Sequence, residues 1–189
     1  GRNIYLTLVL RPDVQHLKAL TMIAPLAVAR AVEEVTGLSP QLKWPNDILL
    51  SGRKLSGVLI DSEFSGSEVR YALVGIGLNV NFDIDKTSEI GSLATSVKRE
   101  LGREVSREGL LAALLNQFEG LYRNEDLVVA REAWKARLET IGREVRVTFR
   151  GQTCEGLAED VDADGSLVLR RPDGSTTVIE AGEVTLRGS

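Results

Sequence analysis

Cysteine is almost missing from this chain of 189 residues: Cys154 stands alone, so no internal disulfide can form, and a reducing cytoplasm is the expected setting. No apolar run approaches the roughly 18–20 residues of a helical membrane span, and no signal-peptide pattern is present, so a membrane partner is not expected. Basic excess is lacking too. Lys and Arg total 23 against 27 Asp and Glu, a net charge of −4, so the chain does not grip nucleic acid through its overall field. Histidine is limited to His16, without a Cys, Asp or second His at ligand spacing, and no metal site is read from the sequence. Repeats, long linkers and low-complexity tracts are absent. What remains is ordinary globular material, 43% hydrophobic and 26% charged.

The apolar spacing orders this material. Residues 3–11 alternate as a strand that Pro12 and Asp13 end. Over residues 15–35, Leu17, Leu20, Ile23, Ala27, Val28, Ala31, Val32 and Val35 recur at three- and four-residue steps. That pattern predicts an amphipathic helix stopped by Gly37, with a kink or delay at Pro25. Strands are predicted over 41–44, 48–50, 55–63 and 69–80, and the run Tyr71-Ala72-Leu73-Val74 marks the last as central. Helices follow over 94–101, 106–122, where Ser106 is the N-cap, and 127–141. Gly142 closes the last helix. Beyond it, short alternating strands separated by turns such as Asp162-Ala163-Asp164-Gly165 predict a small antiparallel all-β barrel or barrel-like sheet. The fold class is α+β: a mixed or antiparallel sheet packed with helices over residues 1–142, then the barrel over 143–189.

Two segments carry the chemistry. In Lys43-Trp44-Pro45-Asn46-Asp47, Pro45 pushes Trp44 into an extended conformation, which holds Lys43 at a strand end. Such a lysine can supply a point charge to a phosphate or a polarised carbonyl, or simply end a strand in solvent. Asn46 and Asp47 offer side chains that bond their own turn. Downstream, Arg53-Lys54-Leu55-Ser56-Gly57-Val58-Leu59 follows, with Lys54 read as a strand-flanking charge. The second segment is Val74-Gly75-Ile76-Gly77-Leu78-Asn79-Val80. Two glycines weaken a strand unless a ligand, or another element, must lie directly against its backbone. Asn79 would project towards such a ligand. A dinucleotide fingerprint is excluded, because Val80 stands where a third glycine is needed. Cys154 reads as a small packed residue and His16 as a surface imidazole.

Together, in this order and spacing, these segments resemble the core signature of biotin–protein ligases. Asn3-Ile4-Tyr5, Ala94-Thr95-Ser96 and Trp134 are similar to that family as well. The resemblance implies a class II synthetase-like catalytic core and a two-step reaction. Biotin and MgATP give biotinyl-AMP and pyrophosphate; a lysine of a carboxylase's biotin carboxyl carrier domain then attacks the mixed anhydride. Carried over by position, Lys43 contacts the biotin carboxylate and the α-phosphate, and Gly57, Gly75 and Gly77 line the slot for the biotin rings. Asn79 sits beside the nucleotide or its metal, Mg2+ being implied with ATP. Glu183 and Arg187 match a Glu-x-x-x-Arg ending that reaches the nucleotide from the second domain.

Upstream of the first strand, such families carry a Ser-Thr-Asn segment and a glycine- and arginine-rich loop that hold biotin and the phosphates. Neither is among these residues, so the resemblance implies that the chain by itself folds without adenylating and leaves a sheet edge open to a homodimer partner. No helix-turn-helix is present, and DNA is not an expected partner. A non-catalytic module that keeps the fold and binds biotin or a carrier domain is the alternative reading. Lipoate and octanoyl transferases share the fold, but the Trp44-Pro45-Asn46-Asp47 block and the fused barrel argue against them.

Overall fold

The computed structural model describes residues 2–83, 89–123, 126–149 and 151–186. Strand β1 (Ile4–Leu10) leads into helix α1 (Val14–Thr36), where the Asp13 carboxylate caps the N-terminus by accepting from the His16 N–H. Gly37, at φ 73°, supplies the left-handed turn that ends the helix. Helix α1 runs unbroken through Pro25, which is buried. A helical proline costs about 3 kcal/mol. Each fully buried large apolar side chain returns about 1.5–3 kcal/mol, and Leu20, Ile23, Leu26, Val28 and Val32 are all fully buried. Packing therefore wins.

Strands β2 (Gln41–Lys43), β3 (Asp47–Leu50), β4 (Arg53–Ser65) and β5 (Glu68–Leu78) join β1 in one antiparallel sheet, ordered β1-β5-β4-β3-β2. Strand β5, predicted as a central strand, is interior and pairs on both edges, with β1 and with β4. Ala72, Val74, Ile76 and Leu78 of β5, with Val58 of β4 and Ile48 of β3, face the buried side where α1 packs. The other face carries Tyr5, Val9 and Leu59, which are exposed.

Helices α2 (Glu89–Leu93), α3 (Val97–Leu101), α4 (Arg107–Arg123) and α5 (Leu127–Lys135) follow, and α4 and α5 pack on α1. Ser106 does cap α4, its hydroxyl accepting from the Gly109 N–H at 3.0 Å. The helix predicted over 94–101 begins only at Val97, because Ala94 bridges Lys54 and the Thr95 N–H bonds the Lys54 carbonyl. Ser96 then takes the N-cap.

The helix predicted over 127–141 ends at Lys135. Its tail does better elsewhere: the Leu42 N–H bonds the Arg137 carbonyl at 2.8 Å and the Glu139 N–H bonds the Leu42 carbonyl at 2.9 Å, so the tail covers the open edge of β2. Gly142, at φ 80°, is consequently a turn into the next sheet and not a helix cap.

That sheet comprises β6 (Glu144–Phe149), β7 (Gln152–Val161), β8 (Leu167–Arg170), β9 (Thr176–Ile179) and β10 (Glu183–Leu186), ordered β10-β6-β7-β8-β9 and antiparallel throughout. Among the described residues no ladder joins β9 to β10, so of the two predicted forms it is the open, barrel-like sheet that is present and not the closed barrel. Three of its strands are only four residues long, which leaves little length for the tilt and stagger that closure needs. The sheet packs on the first unit through polar ties. Trp44 Nε1 donates to the Gly165 carbonyl at 2.9 Å, and Lys18 and Lys135 pair with Asp164 and Asp160, both at 2.6 Å.

Candidate functional site

Strand register builds the site. Lys43 pairs with Asp47, Asp47 with Gly57, Gly57 with Gly77 and Gly77 with Tyr5, one continuous row across all five strands of the first sheet. Directly paired residues of an antiparallel sheet point to the same face. Here that is the face away from α1. The next row places Thr7, Gly75 and Leu59 side by side. The three glycines therefore form a patch without side chains of its own, with Tyr5 and Thr7 on one side, Lys43 and Asp47 on the other, and the end of the Lys54 side chain lying over Gly57.

Over this patch lies a cavity of about 900 Å³, within the rough 300–1,000 Å³ range of small-molecule sites. Lys43, Gly57, Gly75, Gly77 and Glu183 all line it, so five of the seven sequence-predicted site residues converge on one space. A Cβ at Gly75 would meet only Leu59, its oxygen at 3.6 Å, so a side chain there would project into the cavity. At Gly77 it would lie 3.4 Å from the Tyr5 ring.

Glu183 arrives from the second sheet. Gly182, at φ 155°, lets β10 start where a Cβ would come within 2.7 Å of Val147 Cγ1. No L side chain fits that conformation and that approach together.

Asn79 behaves differently from the expectation. It does not line the cavity: its amide oxygen accepts from Asn3 Nδ2 at 3.3 Å and its amide nitrogen donates to the Thr95 carbonyl at 3.1 Å. It ties the end of β5 to the start of α3. Strand alternation, which aimed it at a ligand, stops with Leu78. Arg187 lies outside the described residues.

Asn46 and Asp47 also depart from the predicted turn bonds. Asn46 Nδ2 reaches across to the Val58 carbonyl at 2.6 Å, and Asp47 pairs with Lys54 at 2.5 Å. Lys54, read as a strand-flanking charge, is a cavity wall. The cause is a β-bulge: Ile48 pairs with Ser56 but Leu49 pairs with Lys54, so Leu55 is an extra residue in β4. Simple alternation would turn Lys54 to the side of Ser56; the bulge returns it to the face of Gly57. Arg53 turns away to Glu100. Tyr5, Thr7 and Leu59 were missed by the sequence reading, since only register brings them to the glycines.

Comparison with known proteins bears on the family and the fold. Residues 1–79 match the model of the biotin/lipoate A/B protein ligase family, and residues 140–187 match that of the biotin protein ligase C terminal domain. The chain is 36% identical over 191 residues to the biotin–[acetyl-CoA-carboxylase] ligase of Paracoccus denitrificans, covering 96% of this chain and 79% of that protein. It is 32% identical over 187 residues to the bifunctional ligase/repressor BirA of Bacillus subtilis, where it spans 58% of that protein's length. The biotin protein ligase from Aquifex aeolicus superposes in its apo form with a TM-score of 0.85 at 25% identity, over all of this chain and 84% of that one. In complex with biotin and ATP it superposes with a TM-score of 0.81 at 26% identity, over all of this chain and 80% of that one.

Proposed function

Since this chain belongs to the biotin–protein ligase family, we propose that its glycine-floored cavity is where biotin is adenylated before transfer to a lysine of a biotin carrier domain. The observation that carries this reading is the row Tyr5–Gly77–Gly57–Asp47–Lys43, which puts a lysine on the cavity face at the end of a glycine-floored slot.

In the first step a biotin carboxylate oxygen bonds to the α-phosphorus of ATP and the bond to pyrophosphate breaks. Lys43 acts on the charge that builds between the carboxylate and the α-phosphate, and an ammonium on a strand end needs little reorganisation to do so. In the second step the carrier's amine attacks the biotinyl carbonyl and AMP leaves. Lys43 then stabilises the departing phosphate. Gly57, Gly75 and Gly77 give the rings their floor.

Glu183 brings the second sheet to the nucleotide side, and Arg187 is proposed as its partner there from the Glu-x-x-x-Arg resemblance alone. Asn79 acts from behind, by fixing the junction of β5 and α3. Magnesium commonly takes one or two carboxylates together with substrate phosphates. The cavity's carboxylates are Asp47 and Glu183, so the residues fit an ion that arrives with ATP and neutralises its phosphates. We divide the chain at Gly142 into a catalytic unit and a C-terminal unit. A homodimer would form by pairing at β1, the edge strand.

The test is pyrophosphate release by the full-length protein with biotin and MgATP. Lys43→Ala should slow it by about 10²–10³, the range for loss of one preorganised charge-stabilising group. An unchanged rate would remove Lys43 from the chemistry and this reading with it.

A further inference from the structure

Lys54 is the second cation of the cavity, and its position is unusual. Its Cε and Nζ lie 3.2 and 3.3 Å from where a Cβ of Gly57 would be, so the ammonium rests across one of the three floor glycines. A Cβ at position 57 would push the end of the Lys54 side chain back by a few tenths of an ångström. Asp47 Oδ1 holds it there at 2.5 Å, and Asp47 is also the cross-strand partner of Lys43. One carboxylate thus stands between two lysines on one face. An ammonium has three donors, and the bond to Asp47 engages one of them.

The surroundings fix where this group can act. Its backbone is clamped, because Leu49 pairs with it on one side and its carbonyl accepts from the Thr95 N–H at 2.9 Å. The side chain nevertheless stays about half exposed, on the cavity side. A buried structural pair would be shut away from solvent, and a plain surface pair would have no reason to lie over a glycine.

Resting on the reading of the cavity as a biotin site, we propose that Lys54 is a substrate-binding residue. It clamps the carboxylate of the acid substrate together with Lys43, and Asp47 parks it in place when the slot is empty. Selection for an acid over its uncharged analogues would then come from this pair of lysines, while the glycines select only for shape. No bond forms or breaks at Lys54.

The experiment is calorimetric titration of the full-length protein and its Lys54→Met variant with biotin, with the uncharged amide of biotin, and with ATP. The wild-type protein should prefer biotin to the amide. Lys54→Met should weaken biotin by about tenfold, a modest factor because water screens a half-exposed charge, and leave the amide and ATP within about twofold. Lys54→Arg should recover most of the loss. The double variant Asp47→Asn/Lys54→Met, which leaves no unpaired carboxylate in the wall, should behave like Lys54→Met. Thermal unfolding identifies a variant that fails to fold, in which case Lys54→Arg against wild type, compared on acid and amide, decides. Equal losses for biotin and amide, no loss for either, or a loss confined to ATP overturns the role of Lys54. A wild-type protein that binds neither biotin nor its amide overturns the reading of the cavity as well.

Discussion

Three donors converge on Glu100: the Thr95 hydroxyl, the Ser51 hydroxyl at 2.7 Å and the Arg53 guanidinium at 2.7 Å. Burial by itself pushes this carboxyl upward, but the hydrogen bonds from Thr95, Arg53 and Ser51 outweigh it and hold the group below its ordinary range. Because the folded-state value is depressed, the stabilisation is fully present above the unfolded-state value of about 4.3 and is lost as pH falls through the folded one. Glu100→Gln should therefore cost about 1.5–3 kcal/mol at pH 7, the range for hydrogen bonds to a charged group. Urea unfolding at pH 7 and near pH 3 checks this. The gap between the two proteins should shrink at the lower pH, and a gap independent of pH would mean that the charge is not what Arg53 and its neighbours stabilise. This hub lies next to Lys54 in sequence, yet nothing in the spacing of Arg53 and Lys54 tells which one faces the cavity. Residue type left Lys43 and the glycines open between a site and a plain strand end or bulge, and the order and spacing of the two segments were needed to single them out. It could not separate Lys54 from a flanking charge, because a one-residue bulge decides the face and leaves no mark on the apolar pattern.

The turn between β2 and β3 shows how far an element can be read from its residues. Trp44-Pro45 is a cis peptide bond, and around it the side chains diverge: Lys43 into the cavity, Trp44 into the interface with the second sheet, Asn46 onto β4. Trp44 is 2% exposed, and its backbone N–H bonds the Thr140 hydroxyl at 3.0 Å. Its indole N–H is the tie to Gly165, in the turn between β7 and β8. Trp44→Phe keeps much of the packing but strands the Gly165 carbonyl, a loss of about 1–3 kcal/mol. Thermal unfolding should report that loss, and limited proteolysis should report faster cleavage near residues 162–165. Unchanged protection of that turn would show that the ion pairs of Lys18 and Lys135 hold the second sheet without help. The long apolar helix α1 and the strands β1 to β5 were legible because periodicity alone specifies them. The end of α5 was not. Residues 136–141 keep a helical apolar spacing, but the free edge of β2 competes for their backbone, and a long-range partner of that kind has no local signature.

At the scale of the molecule, the site belongs to both sheets: the glycine floor and Lys43 come from the first, Glu183 from the second. The charge it assembles is small. Among the described residues the cationic side chains lining the cavity are Lys43 and Lys54, and Asp47 and Glu183 oppose them. Adenylation requires the triphosphate's charge to be neutralised and fixed where water is scarce. This cavity is instead rimmed by Tyr5, 77% exposed, and Leu59, 71% exposed, apolar groups that face solvent. Folding is a separate matter. Fully buried Trp44, Trp134, Leu20 and Leu55 share one continuous core that includes Val145, Leu167 and Leu169 of the second sheet. We therefore expect the 189 residues by themselves to unfold cooperatively but not to label a carrier. Incubated with biotin, MgATP and a biotin carrier domain, they should leave the carrier's mass unchanged, whereas the full-length protein should add one biotin. If the 189 residues label the carrier at a comparable rate, two lysines and a metal ion suffice for the phosphates, and the need for further cations in this site must be given up.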